Sequence, residues 1–156
     1  FDLVTHVCGS MAALCEGEVL QDECAANSTM TRQAYLDIIY KKTASLLGVS
    51  ASAGALAVGA TRDRVATMRR FGEAVGMAFQ IQDDILDVTG SQDVTGKPSG
   101  SDEKNKKTTY VTLEGLEKAK KDVEQISTEA IEELNKLPGN NDFLEQLIRA
   151  LVGRQK

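Results

Sequence analysis

Gln80-Ile81-Gln82-Asp83-Asp84-Ile85-Leu86-Asp87 puts three carboxylates within five residues, at the end of a stretch that otherwise reads as an apolar helix. Asp83 and Asp87 are four apart and stand one above the other on a helix face, with Gln80 one turn earlier. Like charges at that spacing repel by roughly 0.2–0.5 kcal/mol, and negative charge at a helix C-terminus also opposes the macrodipole. A hard divalent cation would use both features, because it takes oxygen ligands and is often held by one or two carboxylates plus a substrate phosphate. Asp83, Asp84 and Asp87 are therefore the candidate metal ligands. A calcium loop of the EF-hand type is excluded: counted from Asp83, Val88 stands where a glycine is required, and no glutamate closes the loop. The competing reading is a solvated acidic helix end.

Further residues could complete an anion site. Gly96-Lys97-Pro98-Ser99-Gly100-Ser101-Asp102 sets a cation, pliable backbone and another carboxylate just downstream, and Lys107-Thr108-Thr109-Tyr110 restarts a helix with a second cation and hydroxyls. Lysines beside a helix N-terminus suit a phosphate group. Lys41-Lys42-Thr43 interrupts an apolar helix, and an inward lysine there is costly without an anionic partner. Glu16-Gly17-Glu18 and Gln21 form the last group; Glu18 and Gln21 share a helix face, and the glycine permits close helix approach. For each of these groups the alternative is an ordinary solvated polar face. His6 has no partner pattern and receives no function.

The elements that must position these residues are helices. Alternating strand patterns do not occur, and the two prolines, Pro98 and Pro138, sit where helices should stop. The periodicity predicts a helix from residue 1 to about 25, then a turn over 27–31 with Thr31 opening the next helix. That helix runs to 47, with a break near Gly48, and the small-sided stretch 51–59 reads as a buried helix packed closely on a neighbour. Val65, Met68, Gly72, Val75, Phe79 and Leu86 keep one face through to Asp87. The only long irregular stretch is 89–108. An amphipathic helix from Leu113 to Leu137 ends before Pro138-Gly139, and a final helix from about Asn141 carries Phe143, Leu144, Leu147, Ile148 and Leu151. The fold class is all-α.

The chain has 156 residues, enough for one domain with a real core. A net charge of −5 argues against a nucleic-acid partner. No apolar run approaches 18 residues, so no membrane span is expected. Cys8, Cys15 and Cys24 lack metal-type spacing and read as reduced, partly buried thiols of a cytoplasmic protein. Phe1 opens the chain inside an apolar-periodic run, which reads as a piece of a longer protein.

Taken together, Glu16-Gly-Glu-x-x-Gln21, Lys42-Thr43, Phe79-Gln80-x-x-Asp83-Asp84-x-x-Asp87 and Gly96-Lys-x-x-Gly100-x-Asp102, with Lys107 and Tyr110, resemble the trans-isoprenyl (polyprenyl) diphosphate synthases. The segment from Gln80 to Asp87 resembles that family's second aspartate-rich motif. The resemblance implies an isoprenoid synthase-type helical bundle around a central cavity, of which residues 1–156 would be the C-terminal half. It implies an Mg2+-dependent prenyltransferase that elongates an allylic diphosphate with isopentenyl diphosphate. Carried onto this chain, Asp83 would be the principal Mg2+ ligand and Asp84 and Asp87 further or water-mediated ligands. Lys42, Lys97 and Lys107 would hold the diphosphate, Thr43 and Gln80 would lie near the carbocation, and Glu18, Gln21 and Asp102 would support the site from behind. The family's first aspartate-rich motif and upstream basic residues have no counterpart here. The expectation is therefore an inactive isolated fragment that associates with itself, as a homo-oligomer such as a dimer, or with the missing half. The alternatives are a non-catalytic regulatory subunit of a heteromeric synthase and a class I terpene synthase.

Overall fold

A computed structural model describes residues 3–89 and 108–154, and every described element is helical. Helix α1 (Leu3–Asn27) ends in a turn at Ser28, whose φ of 53° is left-handed. Thr31 then caps α2 (Arg32–Ile39): its extended backbone frees the hydroxyl to accept from the Ala34 N–H at 3.1 Å. The cap stands where the sequence places it. Helix α2 passes without a break into a π-turn, Tyr40–Ala44, and on into α3 (Ser45–Ala57). The longest helix, α4 (Arg62–Thr89), carries the three aspartates at its end. Beyond it, Thr109 caps the short α5 (Tyr110–Glu114) with a reciprocal capping box, and α6 (Leu116–Leu134) and α7 (Asp142–Val152) follow.

Helices α3 and α4 cross at backbone contact. A Cβ on Gly72 would lie 2.5 Å from the Leu47 carbonyl oxygen, and one on Gly76 would lie 2.5 Å from the Ala44 Cα. Two apolar clusters fix the rest. Tyr35, Ile39, Ala78, Ile81, Ile85, Tyr110, Ala119 and Val123 join α2, α4, α5 and α6; Phe71, Val75, Ala130, Leu134 and Ile148 join α4, α6 and α7. Ile81, Leu134 and Ile148 are fully buried, each contributing about 1.5–3 kcal/mol relative to exposure.

The structure corrects several expectations. The helix does not break at Gly48, which lies inside α3; the irregularity comes earlier, at the π-turn, and Gly48 serves the crossing instead. The stretch 51–59 is not a buried helix. Only Ser52 is buried there, Val58 is 83% exposed, and a Cβ on Gly54 would meet nothing within 4 Å, because the crossing lies one to two turns earlier. The amphipathic helix expected from 113 to 137 is interrupted at Gly115, whose φ of 85° only glycine adopts without strain, and it ends at Leu134. Phe143 faces outward at 74% exposure. Cys8 and Cys15 are exposed thiols, and Cys24 is buried. Helix α1 is long and apolar enough, by length and composition, to cross a membrane, with a mean hydropathy of 1.2 over an 18-residue segment of which only 11% is buried. Its Val, Leu, Met, Cys and Ala residues are spread along the helix, so their sum exceeds what any uninterrupted run suggests.

Candidate active site

The site begins at the π-turn. Widening the ladder there sends two adjacent lysines to two different carboxylates of α1. Lys41 Nζ donates to Glu16 Oε2 at 2.7 Å, and Lys42 Nζ donates to Glu18 Oε2 at 2.8 Å and to Gln21 Oε1 at 2.9 Å. Gly17 makes this contact possible, since a Cβ on it would fall 2.7 Å from Lys42 Cγ and 2.9 Å from Lys41 Cβ. The bond from Lys41 holds the Glu16 carboxyl below its ordinary pKa. Lys42 thus has the anionic partner that its inward position requires. Next to it, Thr43 Oγ1 donates to Gln80 Oε1 across a long 3.4 Å, linking the π-turn to α4. π-Turns recur at functional sites in helices, and this one displays the residues that the sequence singled out.

At the end of α4 the three aspartates separate. Asp84 turns inward and is only 2% exposed. Its Oδ2 accepts from the Tyr35 hydroxyl at 2.5 Å and from the Tyr110 backbone N–H at 2.7 Å, so one carboxylate ties α4 to α2 and to the first turn of α5. The tie continues outward: the Tyr110 hydroxyl donates to Asp122 Oδ2 at 2.7 Å, and Lys118 bonds the other oxygen of Asp122. Burial and the bond to Asp122 push the Tyr110 hydroxyl pKa up. Burial works against the Asp122 anion, but the bonds from Lys118 and Tyr110 outweigh it and hold that carboxyl below its ordinary value. Asp83 faces the other way, with a 45% exposed side chain whose Oδ1 bonds the Arg154 guanidinium. Asp87 is half-buried, one turn on from Asp83.

A cavity of about 330 Å3 joins these elements, lined by Gln21, Lys42, Thr43, Gln80 and Asp84 together with Met30, Tyr35, Ile38 and Ile39 among others. It brings together five of the eight sequence-derived candidates that lie among the described residues. Asp83, Asp87 and Glu18 are not among its lining residues. Lys97, Asp102 and Lys107 lie outside the described residues. No cluster of three or more His, Cys, Asp or Glu side chains suited to a metal occurs among the described residues. Of the three aspartates only Asp84 is buried, so a cation at this helix end would meet Asp83 and Asp87, two carboxylates one turn apart. That fits Mg2+, which keeps several waters and takes its remaining ligands from substrate phosphates. It does not fit a closed all-protein cage.

The sequence model of the polyprenyl synthetase family matches residues 1–150. The chain belongs to that family. It is 37% identical over 121 residues to the short chain isoprenyl diphosphate synthase of Methanothermobacter thermautotrophicus, covering 77% of this chain and 37% of that relative. It is 38% identical over 138 residues to the farnesyl diphosphate synthase of Bacillus subtilis, covering 88% of this chain and 46% of the relative. The crystal structure of heptaprenyl diphosphate synthase from Staphylococcus aureus superimposes with a TM-score of 0.92 at 25% identity, over 99% of this chain and 60% of that one. The chain therefore spans less than half the length of both curated relatives. The all-α isoprenyl synthase fold expected from the sequence is the fold observed.

Two residues escaped the sequence reading. Tyr35 resembles any core tyrosine until Asp84 is placed beside it. Arg154 is 71 residues from Asp83, and no local pattern links the two.

Proposed function

We propose that this chain forms the diphosphate-ionising wall of a trans-prenyltransferase, one that elongates an allylic diphosphate with isopentenyl diphosphate. The observation that carries this reading is the convergence of Lys42, Thr43 and Gln80 on one cavity, next to the helix end that displays Asp83 and Asp87. Cleavage of the allylic carbon–oxygen bond leaves positive charge on carbon and puts negative charge on the departing diphosphate. Lys42 moves from Glu18 and Gln21 to that diphosphate and stabilises the developing charge, an effect that is strong where water is excluded. Thr43 spends its hydroxyl proton on Gln80, so that only oxygen lone pairs of the hydroxyl remain to face a cation. Asp83 and Asp87 would hold Mg2+, and neutralisation of the leaving diphosphate is the chemistry the ion supplies when bound. Asp84, committed to Tyr35 and Tyr110, anchors the helix end. The resemblance alone assigns Lys97 and Lys107 to the diphosphate and Asp102 to a supporting place, while Glu18 and Gln21 support the site through Lys42.

Chain elongation belongs to the longer fold of the relatives, so residues 1–156 alone are expected to bind diphosphate without elongating it. The apolar face of α1, where Val4, Met11 and Val19 are 68%, 60% and 58% exposed, would be covered by the rest of that fold or by a second copy in a dimer. Three free thiols fit a cytoplasmic location. The test is calorimetric titration of the chain with inorganic diphosphate in the presence of Mg2+. Binding that is lost in Lys42→Met and weakened by at least tenfold in Asp83→Asn is the expected result. Binding indifferent to both substitutions refutes the assignment.

A further inference from the structure

We propose that Arg154 is a positioning residue for Asp83, holding one carboxylate oxygen so that the other is presented to a divalent cation. The inference rests on the reading of Asp83 as a metal ligand. After α7 the Gly153 N–H closes on the Arg149 carbonyl at 2.8 Å, and the chain turns back over α4. The Arg154 guanidinium lies 4.0 Å from the centroid of the Phe79 ring. Its Nη2 donates to the Phe79 carbonyl at 3.4 Å and to Asp83 Oδ1. Phe79 and Asp83 are one helical turn apart, so a single side chain lies along one face of α4 and is fixed at both ends of that turn.

Arg154 is not a surface partner swinging in solvent. Its side chain is 21% exposed, and its Nε is buried with no hydrogen-bond partner among the described residues. The ring beneath it and the carboxylate in front of it set its place. Asp83, by contrast, is 45% exposed, and only its Oδ1 is hydrogen-bonded among the described residues. One oxygen is tethered, and the side chain as a whole stays accessible. Carboxylates that ligate metals are commonly held in this way from behind, and loss of such a partner costs roughly 10- to 100-fold in metal affinity. A guanidinium could instead compete with the cation for Asp83. The two roles predict opposite signs, because removing a competitor tightens binding and removing a positioning group loosens it.

The experiment measures Mn2+ binding to the chain by electron paramagnetic resonance, with inorganic diphosphate present, for the wild type, Asp83→Asn, Arg154→Gln and Arg154→Lys. The expected result is loss of binding in Asp83→Asn, about tenfold weaker binding in Arg154→Gln, and partial recovery in Arg154→Lys, which keeps the charge and N–H donors but not the planar fork. Binding in Arg154→Gln that equals or exceeds the wild type, while Asp83→Asn loses it, overturns the role of Arg154 and leaves the site intact. Absence of Mn2+ binding in the wild type, or binding in Asp83→Asn that matches it, overturns the metal reading and this inference together. Thermal unfolding separates a merely structural role, which lowers the melting temperature of Arg154→Gln without moving the Mn2+ affinity. Should Arg154→Gln fail to fold, the Arg154→Lys affinity decides: intermediate binding supports the role, and wild-type binding overturns it.

Discussion

Replacing Gly76 with alanine asks a structural and a functional question at once. The new Cβ would stand 2.5 Å from the Ala44 Cα, whereas ordinary contact begins at 3.4 Å, so α4 and the π-turn must separate by roughly an ångström. The obstacle is backbone, which cannot swing aside as a side chain does. Overpacking of this kind costs about 1–3 kcal/mol, while the exchange of glycine for alanine inside a helix returns about 1 kcal/mol. The difference is about 0–2 kcal/mol, and because the obstacle is backbone the net loss lies at the upper end, about 2 kcal/mol, a fall of roughly 4–8 °C in melting temperature for a chain of this size. The same separation breaks the 3.4 Å bond between Thr43 and Gln80, which lies next to the strained contact. In an elongation-competent synthase carrying the substitution, a displacement of that size should lower turnover by at least about tenfold. Gly54→Ala is the matched comparison, since its Cβ would meet nothing within 4 Å and the residue is exposed within α3. It should raise the melting temperature by about 2–3 °C through helix propensity alone. Circular dichroism melts of the two variants decide the matter. Equal shifts, or a Gly76→Ala protein as stable as the wild type, would refute the tight crossing and its link to the site.

Tyr35→Phe leaves Asp84 buried with one fewer donor, and should cost about 1.5–3 kcal/mol, read as a reduced denaturation midpoint in urea with an unchanged slope. Glu18→Gln releases Lys42 from its partly exposed carboxylate partner, and should tighten inorganic diphosphate binding by roughly two- to fivefold in a calorimetric titration; weaker binding would mean that Glu18 helps to present the lysine. Acid unfolding should expose the network at Asp122. Its carboxyl is held below the ordinary value, so its contribution is fully present above about pH 4 and is lost as pH falls through the folded-state pKa. Asp122→Asn should therefore flatten the stability profile below pH 4 and destabilise the protein at neutral pH, as followed by melting temperature across pH 2–7.

The sequence carried α4 well, because a 28-residue helix with one apolar face and a charged end repeats its signal many times over. Thr31 and Thr109 were equally plain, since a capping hydroxyl acts within three residues of itself. Gly115 was missed because a single glycine in a helical pattern reads as a tolerated defect; only its left-handed backbone distinguishes a break. The stretch 51–59 misled for a related reason: small side chains permit close packing but do not supply a partner, and the partner helix had already crossed at Gly48. In the site, Lys42, Thr43 and Gln80 were legible because each is a polar residue in an apolar context. The inward turn of Asp84 and outward turn of Asp83 were not, because the two aspartates are adjacent and their fates depend on Tyr35, Tyr110 and Arg154, residues distant in sequence.

The π-turn has a consequence for insertions and deletions. Residues 40–44 hold one residue more than an i→i+4 ladder needs, so removing any one of them would restore a regular helix and rotate α3 by about 100° relative to α2. Val49 would then arrive at the place of Gly48, where a Cβ would lie 3.0 Å from the Arg69 carbonyl oxygen, and the crossing could not close. Side-chain changes in this window can be absorbed one at a time, but its length sets the phase between the lysines and the glycine seam. Among functional variants of this chain, the count of residues from Lys42 to Gly48 should therefore hold even where their identities drift.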